Sequence, residues 1–170
     1  MPPDLLFQPR IRLARPAPPA REEARRGVLL HRFVQERARA PFDAEAAWAW
    51  LRREGRTLGL SEETLAGLPV PALTALPSRP EFRFLQKGRP EVSVFDGDRL
   101  LRLDSLYVDE TRAVIIEIKT GEHLAQGALP EAYCAQIAAY RRVVQEIFPG
   151  RLVAAFLLET ETAQFLPFEA

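Results

Sequence analysis

Two apolar runs, each broken near its centre by one carboxylate, constrain this chain most. The first is Leu100-Leu101-Arg102-Leu103-Asp104-Ser105-Leu106-Tyr107-Val108, and the second is Val114-Ile115-Ile116-Glu117-Ile118-Lys119. Asp109-Glu110-Thr111 between them reads as a hairpin turn, so the runs become antiparallel neighbours that can bring Asp104 and Glu117 to one place. Burying an isolated carboxylate is costly, and two that meet inside a sheet require a metal ion or hydrogen-bonded partners. Lys119 shares the face of Glu117, because side chains two apart on a strand point the same way. Its ammonium can orient or help deprotonate an attacking water and neutralise charge on a phosphorane. Mg²⁺ takes one or two carboxylates and fills its shell with water and phosphate oxygens. The spacing therefore points to a Mg²⁺ or Mn²⁺ site for phosphodiester hydrolysis, with Asp104, Glu117 and Lys119 catalytic and the Ile118 carbonyl a candidate further ligand. Any one of these residues alone reads more simply as part of an ordinary salt bridge; the joint spacing favours the site.

Around this hairpin the pattern is α/β. A helix is expected from Arg21 to about Ala40, stopped by Pro41, with a mixed face of Val28, Leu29, Arg32, Phe33 and Glu36. A second covers about 43–53 behind an Asp43 N-cap, and a third runs from Ser61 to about Leu68. Pro71–Leu76 reads as a short helical turn. From Glu81 the period changes to two, giving strands at 81–86, 91–95, 99–108 and 113–118, with Asp96-Gly97-Asp98 as a turn. A long helix over 130–147 ends at Pro149-Gly150. Leu152–Thr160 reads as a strand buried on both faces, and Gln164–Phe168 as one that pairs back on it. The expected architecture is a mixed central sheet flanked by helices on both faces, preceded by an N-terminal helical segment. Six prolines in residues 1–20 mark an extended arm or linker, leaving 21–170 as a single domain.

Composition removes other classes. With 23 cationic and 23 anionic side chains the net charge is zero, so contact with nucleic acid must come from a local patch. A single cysteine, Cys134, excludes an internal disulfide, a cysteine-ligated zinc and an iron–sulfur cluster, and it reads as a small packing residue. No apolar stretch approaches the roughly 20 residues of a membrane span, and the start of the chain is not that of a signal peptide. The expected setting is the cytoplasm, away from membranes.

Further candidates lie outside the hairpin. His31 on the first helix can complete a metal shell if the fold brings that helix to the sheet; alone it reads as a packed or surface histidine. Tyr133, Gln136 and Tyr140 occupy one helical face and can position substrate or solvent, or the tyrosines can pack in a core already supplied by Ile137, Ala138, Val143 and Val144. Glu91 can join the metal shell or sit on an exposed strand end. Arg25-Arg26, the trio Arg52, Arg53 and Arg56, and Arg141-Arg142 are candidate phosphate contacts or solvated faces.

Taken in order, these residues resemble the RecB-like branch of the PD-(D/E)XK nuclease superfamily, closest to the C-terminal nuclease domain of AddA-type helicase–nucleases. Arg26-Gly27 with His31, Glu91-Val92, Asp104, Glu117-Ile118-Lys119-Thr120, and Gln136 with Tyr140 follow the family order, over about residues 25–165. The chain departs from that pattern at Leu101-Arg102-Leu103-Asp104-Ser105, where the family has Gly-x-Ile-Asp-Arg. The resemblance implies a restriction-endonuclease-like core and a Mg²⁺- or Mn²⁺-dependent exonuclease in double-strand break repair. It also implies single-stranded DNA delivered by a helicase motor, with a second nuclease/helicase subunit as partner. Two other readings are a stand-alone defence or mobile-element nuclease, and a non-catalytic module that binds DNA or a partner. No phosphate-binding loop of a helicase motor is present in the sequence.

Overall fold

The hairpin that carries the two carboxylates lies at the centre of a five-stranded sheet. The computed structural model describes residues 20–37, 40, 43–121 and 129–168. Helices come first: α1 (Glu22–Arg32) continues into a π-helical segment (Phe33–Arg37), followed by α2 (Ala44–Thr57), α3 (Glu62–Ala66) and α4 (Val70–Thr74). A 3-10 turn (Leu76–Ser78) and α5 (Phe82–Lys87) lead into the sheet. Then come β1 (Arg89–Asp96), β2 (Arg99–Val108), β3 (Arg112–Lys119), α6 (Glu131–Ile147), β4 (Leu152–Glu159) and β5 (Gln164–Pro167).

The strand order is β1-β2-β3-β4-β5. β2 and β3 pair antiparallel from Ser105 opposite Ile116 to Val108 opposite Ala113. β3 and β4 are parallel, from Arg112 opposite Leu152 to Lys119 opposite Glu159. β1 and β5 add antiparallel at the two edges, so the sheet is mixed. A parallel pair needs a crossover, and α6 supplies it. The chain is thus α/β, a five-stranded mixed sheet flanked by helices.

Helices on both faces explain why β3 is apolar at every position from Ala113 to Ile116, up to Glu117. Val114, Ile116 and Ile118 pack against Leu29, Leu30, Phe33, Leu51 and Leu85 of the N-terminal helices. Ala113 and Ile115 pack on the opposite face against Ile137, Tyr140, Val143 and Val144 of α6. Asp43 caps its helix as expected, accepting from the N–H of Ala46 at 2.7 Å, and Ser61 caps α3, which ends at Ala66 rather than Leu68, accepting from the N–H of Thr64 at 3.2 Å.

Four further expectations need correction. Residues 81–86 are not a strand but α5: Phe82 and Leu85 are its buried residues, and a spacing of three is a helical face. The alternation Phe82/Phe84 is too short to separate the two periods. On α1 and its continuation the buried face is Leu29, Leu30, Phe33 and Val34, with Arg32 half-buried and Glu36 exposed. The second helix continues to Thr57, one turn beyond Arg53. On α6, Ala138 is exposed and Tyr140 takes its place in the core. Residues 1–19 of the proline-rich arm, and Pro41, lie outside the described residues.

α5 is held on β2 by close backbone approach. A Cβ at Gly88 would lie 2.5 Å from the Phe84 carbonyl oxygen and 2.9 Å from Ser105 Oγ. Gly88→Ala is expected to cost about 1–3 kcal/mol, as overpacking does. Urea unfolding measures this, and an unchanged midpoint would mean that α5 sits loosely on the sheet.

Candidate active site

Asp104 sits where β2 loses its alternation. Leu101 and Leu103 face α6, and so does Leu106, three residues further on. Ser105 and Tyr107 pair with Ile116 and Val114, whose side chains lie on the other face. β1 breaks at the matching place. Glu91 falls between Pro90, opposite Ser105, and Val92, opposite Leu103. Its φ of 51° is left-handed, a conformation that costs a non-glycine residue roughly 1–2 kcal/mol.

Beyond the Ser105–Ile116 pair, the Asp104 carboxylate takes over from the β2–β3 ladder. Its Oδ2 accepts the Ile118 N–H at 2.8 Å. In a strand the N–H and C=O of one residue face the same neighbour, so the Ile118 carbonyl opens on the same gap. Oδ1 of Asp104 lies 3.0 Å from His31 Nε2. The Asp104 carbonyl accepts from Gln35 Nε2 at 2.8 Å. The first helix therefore reaches the sheet with two polar side chains, four residues apart.

Two contacts bring α1 so close. A Cβ at Gly27 would stand 2.8 Å from Thr120 Oγ1, so only glycine lets the helix lie against the end of β3 undisturbed. Arg26 pairs in bidentate fashion with Glu161 in the turn after β4, one arm at 2.8 Å. That turn is braced by buried Glu159, which accepts from the N–H groups of Glu161 and Thr162 at 2.9 and 3.0 Å.

Glu117 and Lys119 face α6. Lys119 Nζ lies 3.0 Å from Glu117 Oε1 and donates to Gln136 Oε1 at 3.3 Å. It also stands 4.6 Å from the centre of the Tyr133 ring, a cation–π distance. Gln136 Nε2 donates to Tyr140 Oη at 2.6 Å, and Tyr140 donates in turn to the Arg102 carbonyl at 2.9 Å. Tyr140 is thus a core residue with a satisfied hydroxyl, while Tyr133 and Gln136 line the lysine.

The other oxygen of Glu117, Oε2, is buried and has no hydrogen-bond partner among the described residues. Burial, then the nearby Asp104 charge, pushes the Glu117 carboxyl up from its ordinary value, against the opposing pull of Lys119. Burial lowers His31, but the Asp104 hydrogen bond and the charges of Asp104, Glu117 and Glu91 more than offset it, leaving the imidazole raised.

The structure thus brings together His31, Asp104, Glu117, Ile118, Lys119, Tyr133, Gln136 and Tyr140. Glu91 lies at the rim, its carboxylate 3.6 Å from Arg102. The arginine clusters are engaged elsewhere: Arg25 on the Gly59 carbonyl, Arg26 on Glu161, Arg52 and Arg56 on Glu62, Arg53 on Glu54, Arg142 on Asp96, and Arg141 toward the Val153 carbonyl. Gln35 was not expected, although its spacing from His31 is the signal that would have pointed to it.

Asp104, Glu117 and the Ile118 carbonyl offer hard oxygen ligands, and an orphaned buried carboxylate oxygen is a group that a cation would satisfy. Among the described residues no three His, Cys, Asp or Glu side chains form a ready-made metal cluster; His31 and Lys119 engage the carboxylates instead. Among the described residues no helix is long and apolar enough to cross a membrane. No protein-family model matches the chain, and no curated protein matches it.

The raised Glu117 carboxyl has a stability consequence. Because its folded pKa exceeds the unfolded one, its contribution falls as pH rises from about 4.5 through the raised value. Glu117→Gln removes that penalty. In EDTA the substitution should raise the melting temperature more at about pH 8 than at about pH 4. A melting difference that does not change with pH would contradict a buried, ionising Glu117.

Proposed function

We propose that the chain is a Mg²⁺- or Mn²⁺-dependent deoxyribonuclease with a restriction-endonuclease-like core, of the RecB-like PD-(D/E)XK type. It acts as an exonuclease on single-stranded DNA delivered by a helicase partner, in an AddA-type assembly for double-strand break repair. The observation that carries this reading is the buried Oε2 of Glu117, without a partner among the described residues, beside Asp104 at the point where β2 and β3 part and next to Lys119. A purely structural salt bridge gives no reason to hold a bare carboxylate oxygen in the protein interior.

Asp104, Glu117 and the Ile118 carbonyl would hold the metal, with His31 at its edge. When bound, a divalent ion stabilises phosphorane charge and lowers the pKa of water. Lys119 is held by Glu117, Gln136 and the Tyr133 ring, so its ammonium is fixed before substrate arrives. It orients the attacking water and balances charge on the transferring phosphate. His31 and Gln35 hold the Asp104 carboxylate and carbonyl in place.

A second reading is a module that binds DNA or a partner without cutting. The close pairing of His31 with Asp104 and of Lys119 with Glu117 favours it, since both carboxylates already have a cationic neighbour.

End-labelled linear single- and double-stranded DNA, incubated with Mg²⁺, Mn²⁺ or EDTA, tests the two. Metal-dependent cutting is expected, and Lys119→Ala and Asp104→Ala should each reduce it by about 10²–10³-fold or more with the fold retained. Wild-type rates in Lys119→Ala would remove this site from the chemistry. Absence of cutting even with a helicase partner present would favour the non-catalytic module.

A further inference from the structure

A polar cleft of about 180 Å³ lies between α5 and the β2–β3 turn, lined by Arg83, Phe84, Lys87, Tyr107, Asp109 and Arg112. It is separate from the carboxylate site: Arg112 opens β3 and Glu117 lies five residues along it, about 16 Å at the usual strand rise. Three cations meet there, in a chain whose net charge is zero.

Asp109 is the one carboxylate in the lining, and its oxygens are already engaged. Oδ1 accepts from the Thr111 N–H at 2.8 Å, the Thr111 hydroxyl at 2.9 Å and the Arg112 N–H at 2.9 Å. Oδ2 accepts from the Tyr107 hydroxyl at 3.0 Å. Its contact with the Arg112 guanidinium is long, 3.9 Å. Asp109 offsets one of the three cations, so the lining keeps a formal excess of positive charge.

The helix that carries Arg83 and Lys87 is docked closely on the sheet. Gly88 fixes the end of α5 on β2, and Arg83 lies over the Phe84 ring at 4.6 Å. Phe84 packs in turn on Tyr107, ring centres 5.2 Å apart. A favourable position at a helix C-terminus accounts for Lys87 alone; it does not account for Arg83 and Arg112 converging with it.

We propose that this cleft binds a phosphate group, with Arg83, Lys87 and Arg112 as its donors and the Phe84–Tyr107 pair as an apolar wall beside it. Guanidinium groups and an ammonium around an open cleft suit a tetrahedral dianion or a phosphodiester. The phosphate can belong to a nucleic-acid strand or to a free phosphorylated molecule. The proposal does not depend on the hydrolytic reading, and its test runs in EDTA, where cutting plays no part.

The experiment compares the full chain with Arg83→Ala/Lys87→Ala, both exposed positions, and with the charge-conserving Arg83→Lys/Lys87→Arg. One arm measures the thermal shift caused by inorganic phosphate. The other measures anisotropy of a fluorescent oligo-dT single strand across a salt series. Either probe should bind the wild type and weaken about tenfold in the alanine pair, with the conserving pair close to wild type. For the oligonucleotide, the slope of log affinity against log salt should also drop by about 1.4, two contacts at roughly 0.7 each. Binding of both probes assigns the cleft to a nucleic-acid backbone; phosphate without oligonucleotide assigns it to a free phosphorylated molecule. If the alanine pair responds to both probes as the wild type does, the cleft is not a phosphate site.

Discussion

Everything in this structure is arranged around a charge placed where charge is costly. Glu117 stands toward the end of β3, between two helical layers, with one oxygen on Lys119 and the other without a partner among the described residues. A fully apolar strand at that position would be easier to bury. The fold instead surrounds it with partial compensation: a lysine two residues on, a glutamine from α6, and an aspartate whose own charge works against it. Such an arrangement is what the proposed hydrolytic function would call for, a site that gives up stability for chemistry.

The two helical layers contribute different halves of that arrangement. The N-terminal layer delivers His31 and Gln35 to Asp104, and it can do so because Gly27 admits Thr120 and Arg26 ties the helix to Glu161. α6 delivers Gln136 and Tyr133 to Lys119, and anchors itself through the Tyr140 hydroxyl on the Arg102 carbonyl. Asp104 joins the halves because the alternation of β2 fails there. Its carboxylate serves β3 on one oxygen and α1 on the other.

That failure of alternation also explains the backbone of β1. Glu91 adopts a left-handed conformation across from the break, so the irregularity is shared by two paired strands. The same region fixes α5, because Ser105 and Leu106 form the surface on which Gly88 rests. The carboxylate site and the cationic cleft are therefore supported by neighbouring residues of one strand.

The sequence by itself determined the five strands of the sheet, the long helix, the cap at Asp43, and the meeting of Asp104 with Glu117 and Lys119. Those features follow from local periodicity and from a short turn, which act over few residues. The change of face at Asp104 belongs to the structure, where Leu103 and Leu106, three residues apart, pack on the same side of the sheet. Only the tertiary structure decided that residues 81–86 are a helix, since a six-residue segment with three apolar side chains takes its form from what it packs on. Tertiary packing alone likewise placed His31 and Gln35 on Asp104, turned the arginine clusters onto internal partners, and gathered Arg83, Lys87 and Arg112 into one cleft. These contacts join residues far apart in the chain, and helix docking sets their geometry rather than any local pattern.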